Sequence, residues 1–136
     1  MASRTTVAAR TTALLTGSAT ADYAADLDMN NTLDNSVTVE ITGTLGSLTN
    51  IIPTFHAGPS ASPTAVIGDG VQALGETITD ASWTRVITLK VHSRYFRAAV
   101  TGTGADASSS DAVINYYYQP NAITDGLIDG VNVATT

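Results

Sequence analysis

Residues 83–92 read WTRVITLKVH, and this stretch decides the fold class. One alternating set of positions, mostly apolar, holds Trp83, Arg85, Ile87, Leu89 and Val91. The other set, mostly polar, holds Thr84, Val86, Thr88, Lys90 and His92. Successive side chains of a β-strand point to opposite faces, so a period of two indicates a half-buried strand. The stretch therefore predicts a strand whose first face is core.

Similar alternation extends to both sides of this stretch. SVTVEITG at 36–43, RYFRAAVTGTG at 94–104 and DAVINYYYQP at 111–120 each predict a strand, and 48–56 predicts one in which Pro53 favours an edge. We expect an all-β fold, an antiparallel β-sandwich or jelly-roll-like barrel, with 83–118 as a meander of two hairpins. The predicted core residues are Ile87, Leu89, Val91, Phe96, Val100 and Ile114.

The two ends of the chain differ from its middle in composition. Residues 1–25 are dominated by threonine and alanine, and 121–136 carry two Asp-Gly turns. We expect a β-sandwich domain at 26–120, with an extended N-terminal arm at 1–25 and a C-terminal arm at 121–136. The arm residues expected to contact neighbouring subunits are Val7, Leu14, Leu15, Ile123, Leu127, Ile128 and Val131. Arg97 and Tyr117 are expected to make such contacts from the sandwich itself.

The charge content excludes several classes of partner. Only 13% of residues are charged, about half of the usual fraction, and the net charge is −6. One lysine and five arginines are too few to neutralise nucleic-acid phosphates or to hold an anionic membrane surface. No cysteine is present, which excludes disulfides and thiolate metal ligands. A neutral polar surface desolvates easily against a neighbour, so we expect a subunit of an assembly.

The residues that could carry catalysis are scattered. His56 and His92 show no metal spacing, and Glu40 and Glu76 lie far apart in sequence. We therefore expect no enzyme and no cofactor; a hydrolase fragment is a rival that rests only on the acidic residues.

Two stretches leave binding alternatives open. Asp26, Asp28, Asn30 and Asp34 occupy positions 1, 3, 5 and 9 of a calcium loop. Glycine is missing at position 6 and glutamate at position 12, so an Asx-rich turn without metal is the preferred interpretation. The run Tyr116–Tyr118 places at least one tyrosine outward, which leaves a sugar-binding surface as an alternative.

The stretch RYFRAAVTGTGADASSSDAVINYYYQP at 94–120 resembles a pattern of small β-sandwich virion proteins of tailed bacteriophages. The matching positions are Tyr95, Phe96, Arg97, Val100, Thr101, Gly102 and the run Tyr116–Tyr118. Residues 37–63 look like the first half of the same sandwich, so the resemblance covers roughly 35–120.

The resemblance implies a capsid decoration (cement) protein on the virion surface. Its expected partners are the major capsid protein and copies of itself, with a homotrimer favoured. The alternative that it implies is a carbohydrate-binding or adaptor domain associated with a phage tail or fibre.

Overall fold

The computed structural model describes residues 4–11, 15–67, 77–105 and 110–121. Within them the chain forms eight β-strands and two short 3₁₀ turns, Met29–Asn31 and Leu33–Asn35. The strands are β1 (Thr5–Arg10), β2 (Ser18–Tyr23), β3 (Leu27–Asp28), β4 (Ser36–Thr44), β5 (Leu48–Gly58), β6 (Ser82–Lys90), β7 (Tyr95–Gly104) and β8 (Asp111–Tyr118).

The strands form two antiparallel sheets packed as a β-sandwich. The first sheet has the order β1-β8-β4-β6. In the second sheet β7 is central, with β5 on one side and β2 and β3 in succession on the other. The pairs nest, β1 with β8, β2 and β3 with β7, and β4 with β6, which is a jelly-roll arrangement. The predicted fold class is confirmed.

The core lies between the two sheets and is built from alternate residues of each strand. Of the predicted core residues, Leu89, Val91, Phe96, Val100 and Ile114 are buried, and Ile87 packs half-buried against them. Three aromatic rings cross the core: Phe55 stacks on Phe96 with centroids 6.1 Å apart, and Phe96 meets Tyr116 at 5.6 Å. Since Phe96 belongs to β7 and Tyr116 to β8, this contact joins the two sheets.

The predicted meander at 83–118 is wrong. β6 and β8 belong to the first sheet and β7 to the second, so none of the three pairs with its neighbour in sequence. β6 pairs instead with β4, from Ser36 opposite Lys90 to Thr44 opposite Ser82. Alternation identifies the buried face of a strand, but it does not identify the sheet that the strand joins.

The prediction of an N-terminal arm at 1–25 is corrected by the residues that the structure describes. β1 pairs with β8 and β2 pairs with β7, so this segment supplies an edge to each sheet. Leu15 is 2% exposed and belongs to the core, and Val7 packs against the core. The sequence of this segment shows no alternation of large apolar residues, because it consists mainly of threonine and alanine. Its strands are stabilised by their partner strands. Most of the predicted C-terminal arm, residues 122–136, lies outside the described residues.

Tyr116 also carries a buried polar link between the sheets. Its hydroxyl accepts a hydrogen bond from the Ala98 amide at 2.9 Å and donates to the Ala25 carbonyl at 2.8 Å. Ala98 lies in β7, and Ala25 lies in the gap between β2 and β3. The hydroxyl therefore satisfies backbone groups where the strand pairing along β7 is interrupted.

Removing this hydroxyl is expected to destabilise the fold. Tyr116→Phe keeps the ring but leaves the Ala98 amide buried without its acceptor, which costs about 1–3 kcal/mol. Urea denaturation measures the loss. The matched control is Tyr117→Phe, whose hydroxyl lies on the outer face of the same strand and should matter by less than about 0.5 kcal/mol. Equal losses in the two variants would contradict the role of the link.

Truncation of Leu89 tests the core. Leu89→Ala should lower the free energy of unfolding by about 2–5 kcal/mol, because it leaves a cavity between the sheets. Val86→Ala on the same strand is the control, since Val86 is exposed, and it should change stability by less than about 0.5 kcal/mol. An unchanged melting temperature for Leu89→Ala would remove that residue from the core.

Candidate functional site

The outer face of the first sheet is a broad surface with little charge, here called the threonine face. It consists of the outward residues of four adjacent strands, with the charged Asp111 at one end and Lys90 at the other: Thr6, Ala8, Ser36, Thr38, Glu40, Thr42, Thr44, Ser82, Thr84, Val86, Thr88, Lys90, Asp111, Val113, Asn115 and Tyr117. They alternate with the buried residues of the same strands. The two-residue alternation in the sequence therefore predicts both the core positions and the positions of this surface. Threonine and valine suit it because β-branched side chains pack well on a pleated sheet.

The polar groups of the threonine face bind one another. The Thr38 and Thr88 hydroxyls lie 2.9 Å apart across β4 and β6. The Tyr117 hydroxyl donates to Glu40 Oε1 at 3.0 Å, and this bond to a carboxylate raises the pKa of Tyr117. Arg4 Nη2 donates to Thr38 Oγ1 at 3.2 Å and to the Tyr117 carbonyl at 3.3 Å. The face therefore presents methyl and hydroxyl groups, and its central carboxylate already has a partner.

One end of this face contains a shallow depression of about 420 Å³. It is lined by Thr42, Gly43, Thr44, Ser82, Trp83, Thr84, Asp111 and Val113. A Cβ at Gly43 would overlap the Asp111 carbonyl oxygen and lie 2.8 Å from the Trp83 ring, so glycine is required here by the neighbouring strand as well as by the indole. Trp83 is 4% exposed, and its Nε1 has no hydrogen-bond partner among the described residues. The indole is too buried to serve as a stacking platform for a sugar.

A second polar cluster lies on the outer face of the second sheet. The Arg97 guanidinium sits 3.7 Å from the centroid of the Tyr23 ring, and that ring meets His56 edge-on at 5.1 Å. Arg97 also donates to the Pro63 carbonyl at 2.8 Å and to the Ser62 carbonyl at 3.2 Å. These contacts hold the loop that follows β5 against the sheet, so Arg97 is committed to its own chain.

His56 is the titratable group of this cluster. Its Nδ1 donates to the Thr64 carbonyl at 2.9 Å, and its Nε2 lies 2.8 Å from Thr54 Oγ1. Because a carbonyl can only accept, the neutral ring carries its proton on Nδ1 and its Nε2 accepts from the threonine hydroxyl. Burial lowers the pKa of His56, and the positive charge of Arg97 lowers it further, although the bond to Thr64 acts in the opposite direction.

The predicted contact residues do not form one patch. Tyr117 lies on the threonine face, as a contact residue requires, whereas Val7 faces the opposite side of the same sheet and Leu15 is in the core. Arg97 lies on the second sheet and binds the loop at Ser62 and Pro63. The predicted residues Leu14, Ile123, Leu127, Ile128 and Val131 lie outside the described residues. Among the predicted contact residues that the structure describes, only Tyr117 lies on the threonine face; the polar positions of the alternating strands mark the rest of this face.

The carboxylates of the calcium alternative have separate partners. Asp28 accepts from the Asn30 amide at 3.0 Å as in an Asx turn, and Arg94 donates to it at 3.2 Å. Asp34 accepts from Lys90 at 2.8 Å, and Asp26 accepts from the Ser62 amide at 2.7 Å. Within the described parts of the chain, no three His, Cys, Asp or Glu side chains are grouped so as to hold a metal ion.

Two of these contacts shift the pKa of a carboxyl group. Burial alone would raise the pKa of Asp28, but the bonds from Arg94 and from the Asn30 amide lower it below its usual value. The bond from Lys90 lowers the pKa of Asp34. Both groups are therefore ionised partners of a cation of the same chain.

Comparison with known proteins gives structural likenesses but no match in sequence. No protein-family model and no curated protein sequence matches this chain. A solved structure described as "Bacillus endospore appendages form a novel family of disulfide-linked pili" aligns with 88% of this chain and 92% of its own chain, at 15% identity and a TM-score of 0.43. At this TM-score the likeness carries neither family nor function over to this chain. Among the described residues, no helix is long and apolar enough to cross a membrane.

The low pKa of His56 predicts a loss of stability in mild acid. The unfolded chain takes up a proton near pH 6.5, whereas the folded chain resists protonation, so the free energy of unfolding should fall as the pH drops from 7 to 5. Urea denaturation of the wild type and His56→Gln across this range measures the effect, and the variant should show the shallower slope. His92→Gln is the control, because His92 is exposed. Parallel slopes for the wild type and His56→Gln would contradict the prediction.

Proposed function

We propose that the protein is a structural virion protein of the capsid decoration type, which binds the head of a tailed bacteriophage through its threonine face. The observation that carries the proposal is the composition of that face. Four adjacent strands present hydroxyl and methyl groups around a central carboxylate, Glu40, that already accepts from Tyr117, while the charged Asp111 and Lys90 lie at the two ends of the face. Burying such a surface costs far less than burying unpaired charges, so a neighbouring protein can cover it.

The fold and the resemblance support this proposal in different ways. Jelly rolls are found in viral capsid proteins and in lectins, so the fold is compatible with the proposal only by analogy. The resemblance of 94–120 to small virion proteins supplies the expected partner, the major capsid protein, and the expected homotrimer. Both stay predictions about this chain.

The described part of the N-terminal segment is excluded as a free anchor by its place in the fold. β1 and β2 are hydrogen-bonded into the two sheets, so they cannot lie over a neighbouring subunit without unfolding the sandwich. We propose that the threonine face provides the contact instead. Apolar area buried there would contribute about 25 cal/mol per Å², and many copies on one particle would hold by multivalency.

A sugar-binding domain of a phage tail or fibre is the second candidate, and one feature favours it. Tyr117 is half-buried on the threonine face and hydrogen-bonds Glu40, which lies opposite Asn115 in the sheet. An aromatic ring beside a carboxylate and an amide can contact both the apolar and the hydroxyl groups of a sugar.

Locating the chain on particles tests the proposal. Phage particles purified from the source of the gene are labelled with gold-conjugated antibody against this chain and imaged by electron microscopy. We expect label distributed over the heads. Label confined to the tail, together with glycan-array binding that Tyr117→Ala abolishes, would favour the second candidate. Particles without label would overturn both.

A charge placed on the threonine face is expected to weaken attachment. Thr42→Lys adds a cation at an exposed position of β4, where covering it would leave the charge unpaired, so sedimentation with particles that lack the chain should show binding weaker by roughly tenfold or more. Thr20→Lys, at an exposed position of β2 in the second sheet, is the matched control and should bind normally. Equal binding by all three proteins would exclude the threonine face as the contact.

A further inference from the structure

β6 is a long and regular edge strand. Its nine residues, Ser82–Lys90, pair with β4 without any shift of register. Within residues 4–11, 15–67, 77–105 and 110–121, no strand pairs with the other side of β6. On that side the Thr84 carbonyl accepts from Arg85 Nη1 of its own chain at 3.1 Å. The backbone groups on either side of it are a template for another strand.

We propose that β6 pairs with β6 of a second copy, antiparallel and in a register centred on Val86, so that two first sheets join into one continuous sheet. The two copies are related by a two-fold axis, and two-fold dimers are the commonest symmetric assemblies of identical chains. The contact uses an edge of the sheet and leaves the threonine face uncovered, so it does not depend on that face binding a capsid. It gives a dimer in solution in place of the homotrimer that the resemblance implies.

The sequence of β6 is self-complementary about this centre. Val86 is the middle residue of the strand, it is 61% exposed, and Thr84 and Thr88 flank it on the outer face. In the centred register Val86 lies opposite the partner's Val86, and Thr84 lies opposite the partner's Thr88. Directly opposed threonines can hydrogen-bond across the strands, and such cross-strand pairs stabilise a sheet.

The charges of β6 also suit this register. Arg85 lies opposite the partner's Ile87, and Lys90 lies opposite the partner's Ser82, so no two cations face each other. Asp80 precedes β6 by two residues and occupies the position diagonal to the partner's Lys90, which a long side chain can reach. Within its own chain Asp80 pairs with Arg85 at 3.7 Å and Lys90 pairs with Asp34 at 2.8 Å, so the contact between copies would extend these exposed ion pairs. The two-fold axis repeats this opposite-charge pairing at both ends of the strand.

The other edges are less suited to such a contact. β1 has six residues and an irregular register between Ala8 and Arg10. β5 already forms bridges on its outer side, Ile51 with Ile78 and His56 with Val66. The edge opposite β5 is divided between β2 and β3. Of these edges, β6 is the one that is both long and unbroken.

Cysteine cross-linking tests the register directly, since the natural chain has no cysteine. Val86→Cys would place two thiols on opposed residues with Cα atoms about 4.5–5.5 Å apart, within the range of a disulfide. Thr84→Cys is the matched control, because its partner thiol would lie about 13 Å away along the strand. Under mild oxidation we expect a covalent dimer of Val86→Cys and none of Thr84→Cys. Equal cross-linking of the two variants, or none in either, would overturn the proposal.

The mass in solution provides an independent test. Light scattering after gel filtration should give twice the chain mass of 14.0 kDa for the wild type. Val86→Lys, which sets two cations against each other at the centre, should weaken the dimer by roughly tenfold or more. Val66→Lys is the control, since Val66 is also 61% exposed but lies next to β5. A monomer or trimer for the wild type, or equal effects of the two lysines, would overturn the proposal; circular dichroism verifies that each variant is folded.

Discussion

The hydroxyl of Tyr116 is the group on which the arrangement of the two sheets depends. Between β2 and β3 the chain leaves β7, and the Ala25 amide donates to the Ala9 carbonyl of β1 at 2.9 Å. This excursion leaves the Ala98 amide and the Ala25 carbonyl needing partners, and the Tyr116 hydroxyl binds both. Because Tyr116 comes from the opposite sheet, one side chain sets the packing of β8 on β7 and closes the gap left by the N-terminal strands. A phenylalanine at this position could fill the space but could not satisfy the backbone.

The alternation of buried and exposed positions along the strands explains the composition of the outer surface. The buried positions of the first sheet are occupied by large apolar residues, so the alternating positions are left with threonine, valine and tyrosine. Arg4 and Glu40 bind groups on the face itself, and Lys90 binds Asp34 beside it. Because these charges are paired within the chain, little unpaired charge would have to be desolvated if another protein covered the face. The second sheet differs, because Arg97 is bound by the loop that covers it.

Sequence reasoning succeeded where large apolar residues alternate. The strands containing Leu89, Phe96 and Ile114 and their buried faces were predicted, because burial of such side chains gives a strong period of two. It failed at β1 and β2, whose threonines and alanines contribute little apolar area and which are stabilised by β8 and β7. Arg97 was predicted to contact a neighbouring subunit. In the structure it binds the loop at Ser62 and Pro63, and the sequence around Arg97 does not indicate that this distant loop will cover it.

By itself, the sequence determined an all-β sandwich, the identity of most core residues and a surface poor in charge, since these follow from local period and composition. The tertiary structure alone decided which strands are neighbours, that residues 5–10 and 18–23 complete the sheets, and that β6 is an edge strand of the first sheet among the residues that the structure describes. The physical reason is the range of the interactions. Alternation is a property of adjacent residues, whereas strand pairing joins β1 to β8 across almost the whole described chain. No local pattern encodes that partner.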